Sequence, residues 1–316
     1  MTNPVITLRP AAPFDFDLTA GYLTYFRGQY GSDSLGDGTY RRLLDLGGKL
    51  VLASVRSLGT VEAPELAVEL EGADIVDPER RAAVAQVAWL LGAEEPLDAF
   101  YSLTQDDSVM SALTTRFRGL HLPHTASVFE ALVLAVLGQQ ISTQVARTIR
   151  TLLIETYGET YGPRQAFGDA TYFAFPRPQT LAAARVEDLR RLKLSGRKAE
   201  YVRGIAQAAL DPNGGLESLQ ELPDDGVVAR LTALRGVGLW TAQWALVRAL
   251  GRPDVFPAGD LALRRAVSSL YLGGAPVSEQ QAEEFSRRWS PWRTYATLYL
   301  FTALRMGVAS NTPSVD

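Results

Sequence analysis

The 316-residue chain contains no cysteine. That excludes a disulfide framework and any iron–sulfur cluster held by thiolates. Histidine is almost as scarce. His121 and His124 are the only two; both precede the region that carries the motifs below, and neither is given a catalytic role. Long apolar runs are also missing. No uninterrupted stretch approaches the roughly 18 residues of a membrane span, and Met1–Pro10 lacks the charged, apolar, small-residue order of a leader. The expectation is therefore a cytoplasmic protein with no membrane partner. A marked excess of one charge is lacking too, since the net charge is −4, which argues mildly against a nucleic-acid partner. What is present, 47% hydrophobic residues, suits a globular protein of one large or two to three small domains.

The charge is unevenly spread. Residues 1–100 carry 8 basic and 15 acidic residues, and the remainder carries 23 basic and 20 acidic. Arg185–Arg203 holds seven basic residues (Arg185, Arg190, Arg191, Lys193, Arg197, Lys198, Arg203) against three acids. This segment reads either as a solvated helix face or as part of a DNA surface.

The first hundred residues also differ in pattern. Tyr40–Leu46 and Lys49–Arg56 flank Gly47-Gly48, a two-residue hairpin signal. Glu65–Glu71 alternates with period two, as a half-buried strand does, and Val5–Arg9 is a further strand candidate. Phe16–Tyr30 and Pro78–Leu91 are expected as helices. From about Leu103 the pattern is helical. Ser127 and Glu130 predict a capping box for a helix through Leu137 that Gly138 ends. A second helix is expected from about Ser142 to Tyr157, stopped by Gly158. Thr180, Asp260 and Ser278 are candidate caps of later helices. Asp211–Gly215 and Tyr161–Phe175 read as loops, and Gly307–Asp316 as a frayed tail.

The most informative segment is Leu234-Arg235-Gly236-Val237-Gly238-Leu239-Trp240-Thr241-Ala242. It separates a helical pattern over Val227–Leu234 from another that begins near Leu239 and runs to Leu250. Gly236 and Gly238 allow a tight turn and close approach to another surface. The first N–H groups of the second helix then lack intrahelical partners and suit a phosphate. The segment reads as an ordinary helix–loop–helix or as a helix-hairpin-helix that grips a DNA backbone.

Twenty residues beyond Trp240 stands Asp260, in Phe256-Pro257-Ala258-Gly259-Asp260-Leu261-Ala262. One reading is a plain N-cap. The other keeps the cap and adds a task, because a carboxylate at a helix N-terminus is favoured as the anion and is available as a fixed negative charge.

The hairpin followed by Pro-x-Gly-Asp resembles the helix-hairpin-helix–GPD superfamily of DNA base-excision glycosylases. Ala258 and the order Pro-Ala-Gly-Asp depart mildly from the Gly-Pro-Asp of the name. Other segments resemble the 3-methyladenine glycosylase II (AlkA-type) branch: Val128–Ser142, Phe175–Ala184, Leu194–Ala206 and, most branch-specific, Trp289-Ser290-Pro291-Trp292-Arg293-Thr294-Tyr295-Ala296. The absence of cysteine sets aside the cluster-bearing branches.

The resemblance implies an α+β fold: an antiparallel α+β N-terminal domain over 1–103, then an all-α two-lobed core over 104–316. One lobe would be 126–250, containing the hairpin; the other would be 104–125 with 251–306, and 307–316 a flexible tail. It implies a monomeric enzyme acting on double-stranded DNA with alkylated bases, needing no cofactor. The grip would be the backbone of Gly236, Gly238, Trp240 and Thr241. A structural Na⁺ or K⁺ would sit on the carbonyls of Thr232, Leu234 and Val237. Gln140 would plug the emptied base stack, although that branch often has an apolar wedge there. The base pocket would be Tyr22, Trp240, Trp244 and Phe301, with Tyr295 assigned either to it or to the core. Asp260 would stabilise the oxocarbenium-like state or orient water. Strand-cutting members carry Lys where this chain has Trp240, so hydrolysis alone is expected. Two alternatives stay open: a non-catalytic binder of DNA structure or lesions, and an oxidised-purine glycosylase/lyase.

Overall fold

The computed structural model describes residues 5–26, 28–161, 171–213 and 215–308. Parts of the expected loops and all but two residues of the expected tail lie outside these. Six strands form one antiparallel sheet: β1 (Ile6–Leu8), β2 (Gln29–Tyr30), β3 (Asp33–Gly36), β4 (Thr39–Asp45), β5 (Leu50–Ser57) and β6 (Leu66–Glu71), in the spatial order β1-β6-β5-β4-β3-β2. The β4–β5 turn is set by Gly47 and Gly48, both at positive φ (69° and 110°), and Asp45 Oδ1 accepts the Gly48 N–H at 2.7 Å. Helices α1 (Phe16–Leu23) and α2 (Asp77–Leu90) pack on the sheet through Phe16, Ala20, Ala83 and Val87 against Tyr40, Val51, Val55 and Val68. Leu43 and Leu52 gather with Ala174 in a separate small apolar cluster.

The first helix is shorter than its sequence suggests. It stops at Leu23, because Tyr25 and Phe26 adopt φ of 54° and 56° and the Phe26 N–H turns back to Gly21 O at 2.7 Å. Gln29–Tyr30 then pairs with β3. A non-local partner, invisible to local periodicity, has claimed the end of the expected helix.

The rest of the described chain is helical and shares one large apolar core. Helices α3 (Asp98–Thr104) and α4 (Ser108–Arg116) lead into α5 (Val128–Gly138) and α6 (Thr143–Tyr157). Helices α7 (Pro178–Ala183), α8 (Val186–Arg191) and α9 (Gly196–Ala209) follow. The chain continues through α10 (Asp224–Thr232), α11 (Leu239–Arg248), α12 (Leu261–Tyr271), α13 (Glu279–Ser286) and α14 (Arg293–Arg305). The expected boundary at residue 103 thus falls inside α3.

Several caps match their sequence signals. Ser142 accepts from Val145 N, and Ser278 with Gln281 completes a reciprocal capping box. Others differ. Ser127 accepts from Glu130 N, but the Glu130 carboxylate goes to Arg42 of β4 at 2.7 and 2.8 Å, so the box is one-sided. Thr180 lies inside α7, which starts earlier because Pro178 takes its first turn with Arg177 as cap; proline at a first helical position lacks only an N–H that would be unpaired anyway. Gly158 ends α6 at a negative φ of −77°. It is needed for space instead: a Cβ there would stand 2.2 Å from Ala174 O.

Candidate active site

The α10–α11 turn is shaped by Gly236. Its φ is +89°, and a Cβ would meet Tyr201 Cγ of α9 at 2.2 Å. Gly238 is the N-cap of α11 at φ −94°, with nothing within 4 Å of an added Cβ. Among the described residues, none accepts a hydrogen bond from the backbone N–H of Gly236, Gly238, Trp240 or Thr241. Four donors around one helix start are thus free for an anion. The Thr241 side chain is buried and accepts from Gln139 Nε2 at 3.0 Å, so only its backbone can serve a ligand.

Gln139 was not singled out by its sequence. It also donates to Gly236 O at 3.1 Å, and so ties the α5–α6 turn to the hairpin. Lys198 supports the same turn: its Nζ donates to Leu137 O at 3.0 Å and Gln139 O at 2.7 Å, capping the carbonyl end of α5. Burial holds the Lys198 ammonium below its ordinary pKa. Gln140 is exposed in the left-handed region, at φ 55°. Both glutamines, Ser195, Arg197, Lys198, Tyr201 and Gly236–Gly238 line a groove of about 460 Å³. Within the basic segment, Arg185 and Arg191 pair with Asp188, while Arg197 and Lys198 face this groove.

The hairpin carbonyls differ among themselves. Leu234 O accepts from Val237 N at 3.1 Å. Thr232 O and Val237 O accept no hydrogen bond from a described residue outside a helix. Hard oxygen donors of this kind fit a monovalent cation, and two of the three are unengaged.

Asp260 is the half-buried N-cap of α12. Its Oδ1 accepts from Ala262 N at 2.9 Å and Leu263 N at 3.2 Å, and its Oδ2 accepts from Trp240 Nε1 at 2.8 Å. The Trp240 bond joins the two helix starts that sequence could only place twenty residues apart. A clamp fixes the loop before Asp260: Arg293 Nε donates to Asp254 Oδ1 at 2.7 Å, Ser290 Oγ to Asp254 Oδ2 at 2.8 Å, and Val255 N to Thr294 Oγ1 at 3.0 Å. The branch-specific segment over Trp289–Ala296 therefore anchors this loop.

From Trp240 an aromatic wall runs inward. The rings of Trp240 and Trp244 are 6.5 Å apart, and those of Trp244 and Phe301 5.5 Å, both edge-on. Tyr22 is joined to the wall through the guanidinium of Arg305, which lies over both its ring and that of Phe301. Tyr295 belongs to the core: it is buried and packs 5.6 Å from Phe100. Leu239 and Leu261, the first residues of α11 and α12, are 50% and 63% exposed, so an apolar rim flanks Trp240 and Asp260. A fixed carboxylate, unpaired amides and a wall of aromatic rings can hold a phosphate, stack a flat ring and stabilise positive charge between them.

The family model described as HhH-GPD superfamily base excision DNA repair protein matches residues 133–291. The chain is 25% identical over 304 residues to a DNA-3-methyladenine glycosylase of Bacillus subtilis, covering 96% of this chain and 98% of that protein. It is 32% identical to a probable bifunctional transcriptional activator/DNA repair enzyme AlkA of Mycobacterium tuberculosis, over 93% of this chain and 55% of that protein. A solved 3-methyladenine DNA-glycosylase from Archaeoglobus fulgidus superposes with a TM-score of 0.83 at 28% identity, over 96% of this chain and 99% of the other. An 8-oxoguanine glycosylase/lyase of Clostridium acetobutylicum shares the fold alone, with a TM-score of 0.74 at 16% identity.

Proposed function

Because this chain belongs to the HhH-GPD superfamily of base excision DNA repair proteins, we propose that it is a DNA glycosylase that removes alkylated bases from duplex DNA. The observation that carries the reading is the 2.8 Å bond from Trp240 Nε1 to Asp260 Oδ2. It sets a helix-capping carboxylate beside four unpaired hairpin amides and at the mouth of the aromatic wall.

In this reading the amides of Gly236, Gly238, Trp240 and Thr241 hold a phosphate of the lesion strand. Contacts of that kind position a duplex without reading its sequence. The lesion is flipped out, since its glycosidic bond is inaccessible inside the stack, and Gln140 fills the gap. Trp240, Trp244, Phe301 and Tyr22 receive the base. Asp260 stabilises the oxocarbenium-like sugar as the bond to the base breaks, and water adds to C1′. Position 240 offers an indole and no amine, so the enzyme is monofunctional and leaves an intact abasic site. Thr232, Leu234 and Val237 would hold a Na⁺ or K⁺, whose charge would lie on the phosphate side of the hairpin. We assign the pocket to the cleft between two helical lobes, 126–250 and 104–125 with 251–306, with the sheet-bearing region 1–103 as a separate domain. The protein acts as a monomer in the cytoplasm.

Methylated duplex DNA tests the proposal. After incubation, strand breaks should appear only on alkali treatment, and borohydride should trap no protein–DNA adduct. Breaks without alkali, or a strong adduct, indicate a lyase. Binding without any breaks indicates a non-catalytic DNA-binding protein.

A further inference from the structure

Behind the aromatic wall stand three arginines that the proposed function leaves without a role. Arg150 lies in α6, and Arg248 and Arg305 are the last residues of α11 and α14. The Arg305 guanidinium is sandwiched between the rings of Tyr22 at 4.1 Å and Tyr25 at 3.8 Å, and lies 5.9 Å from that of Phe301. Arg248 stands 5.6 Å from the same Tyr22 ring, and Arg150 lies 4.2 Å over Tyr30.

No described carboxylate forms a salt bridge with any of the three; their neighbours are the phenols of Tyr22, Tyr25 and Tyr30. Stacking on aromatic faces compensates only part of the cost of burying guanidinium groups. Burial alone would raise the Tyr25 phenol, but the charges of Arg305, Arg150 and Arg248 outweigh it and hold that group below its ordinary pKa. Around the wall, the buried N–H-bearing atoms Arg150 Nε, Arg248 Nε, Arg305 Nη1 and Trp244 Nε1 have no acceptor among the described residues. Each is a donor. Unsatisfied donors gathered behind the wall are complementary to a ligand that brings acceptors.

We propose that Arg305 and Arg248 determine specificity in the base pocket by selecting bases whose inner edge carries an acceptor, such as a carbonyl oxygen. The inference rests on the glycosylase reading above. With the base face on Phe301 and its edge toward Trp244, the guanidinium of Arg305 stands one helical turn deeper, at the base edge. A carbonyl there accepts its N–H; an amino group sets donor against donor. The charge also favours departure. As the C1′–N bond breaks, its electron pair stays on the base while a water oxygen adds to C1′. A cationic base leaves neutral and the water's proton passes to solvent. A neutral base leaves as an anion, and that proton ends on the base. A guanidinium at the edge stabilises the electron density gained in both cases, most where the base carries an oxygen to receive it.

The test uses duplex DNA carrying 3-methylguanine and 3-methyladenine, which present a carbonyl and an amine at C6, with released bases separated by chromatography. Wild-type protein should release 3-methylguanine no more slowly than 3-methyladenine. In Arg305→Gln and in Arg248→Gln the ratio of the two should fall at least tenfold. An unchanged ratio in both folded variants overturns the inference and leaves the glycosylase reading intact; release of neither base by the wild type overturns that reading itself. A second measurement needs no variant. Free hypoxanthine and adenine differ at C6 in the same way, and hypoxanthine should inhibit the wild type at a concentration at least tenfold lower. Equal inhibition overturns the inference.

Discussion

At the scale of single residues, Asp260 performs two jobs with two oxygens. Oδ1 caps α12 through Ala262 and Leu263, and Oδ2 faces Trp240. Asparagine keeps the cap, since its amide oxygen accepts the same N–H groups and asparagine ranks with aspartate as an N-cap. It loses the charge, and it turns an amide NH₂ toward the Trp240 indole N–H in place of the accepting Oδ2. Asp260→Asn should therefore melt within a few degrees of the wild type and bind duplex DNA unchanged, while excision falls by about 10²–10³-fold, the usual cost of removing one preorganised electrostatic group. Base release from methylated DNA measures this, and activity within a few-fold of wild type would remove Asp260 from the mechanism. The aspartate was legible in sequence only because a hairpin preceded it. Arg305 and Arg248 were not, although Arg305 is one helical turn from Phe301, because a lone arginine at a helix end usually marks a favourable dipole contact.

At the scale of elements, the hairpin contains two glycines with different reasons. Gly236 is required by the fold, through its positive φ and the Tyr201 ring against it. Gly238 is open on its Cβ side at an ordinary φ. Gly236→Ala should thus lower stability by about 2 kcal/mol or more, as strained backbone and overpacking combine, which denaturant unfolding would show. Gly238→Asp should fold normally and put a negative charge beside the unpaired amides. Its affinity for damaged and undamaged duplex should drop together by about tenfold or more, with a salt dependence shallower by about one phosphate contact. Unchanged affinity of a natively folded Gly238→Asp protein would move the DNA surface elsewhere.

At the scale of the molecule, a buried ionic strut joins the sheet to the helix that bears the glutamine turn. Arg42 of β4 contacts Glu130 of α5 at 2.7 Å and Asp33 of β3 at 2.9 Å, and Tyr40 donates to Asp33 at 2.6 Å. Removing one partner of such a network strands buried charge, so Arg42→Met should cost about 3–5 kcal/mol. Adding Glu130→Leu should recover part of that loss in the same unfolding assay. A pH effect arises elsewhere, where α2 meets the end of α11. His124 is stacked on Trp89 at 4.1 Å; burial first, and the Arg248 charge second, hold its pKa at about 3 against an ordinary 6.5. Between those values the unfolded chain binds a proton that the folded chain refuses. Stability is then complete above pH 6.5 and is lost as pH falls toward 3, by up to about 1.4 kcal/mol per pH unit. His121, lowered chiefly by burial, acts with the same sign. The melting temperature of wild type minus that of His124→Phe should fall with pH across this window; a constant difference would contradict the shift.

The sequence by itself determined the features that local rules encode. The Gly47-Gly48 hairpin and the caps at Asp260 and Ser278 depend on backbone conformations and hydrogen bonds within a few residues; Gly158 and Gly236 were legible as breaks in the helical pattern, although Ala174 and Tyr201 are what exclude a side chain there. Tertiary structure alone decided what depends on distant partners. Gln29–Tyr30 left its helical pattern to pair with β3, and Glu130 gave up its half of a capping box to satisfy Arg42, because a buried guanidinium needs a carboxylate more than an N-cap amide does. The bond between Trp240 and Asp260 likewise arises from packing of two successive helices, and the joining of Tyr22 to the wall through Arg305 from packing of helices at opposite ends of the chain. Spacing pointed to Trp240 and Asp260 and the resemblance to Tyr22, but only the packed core sets their distances and brings in Arg305.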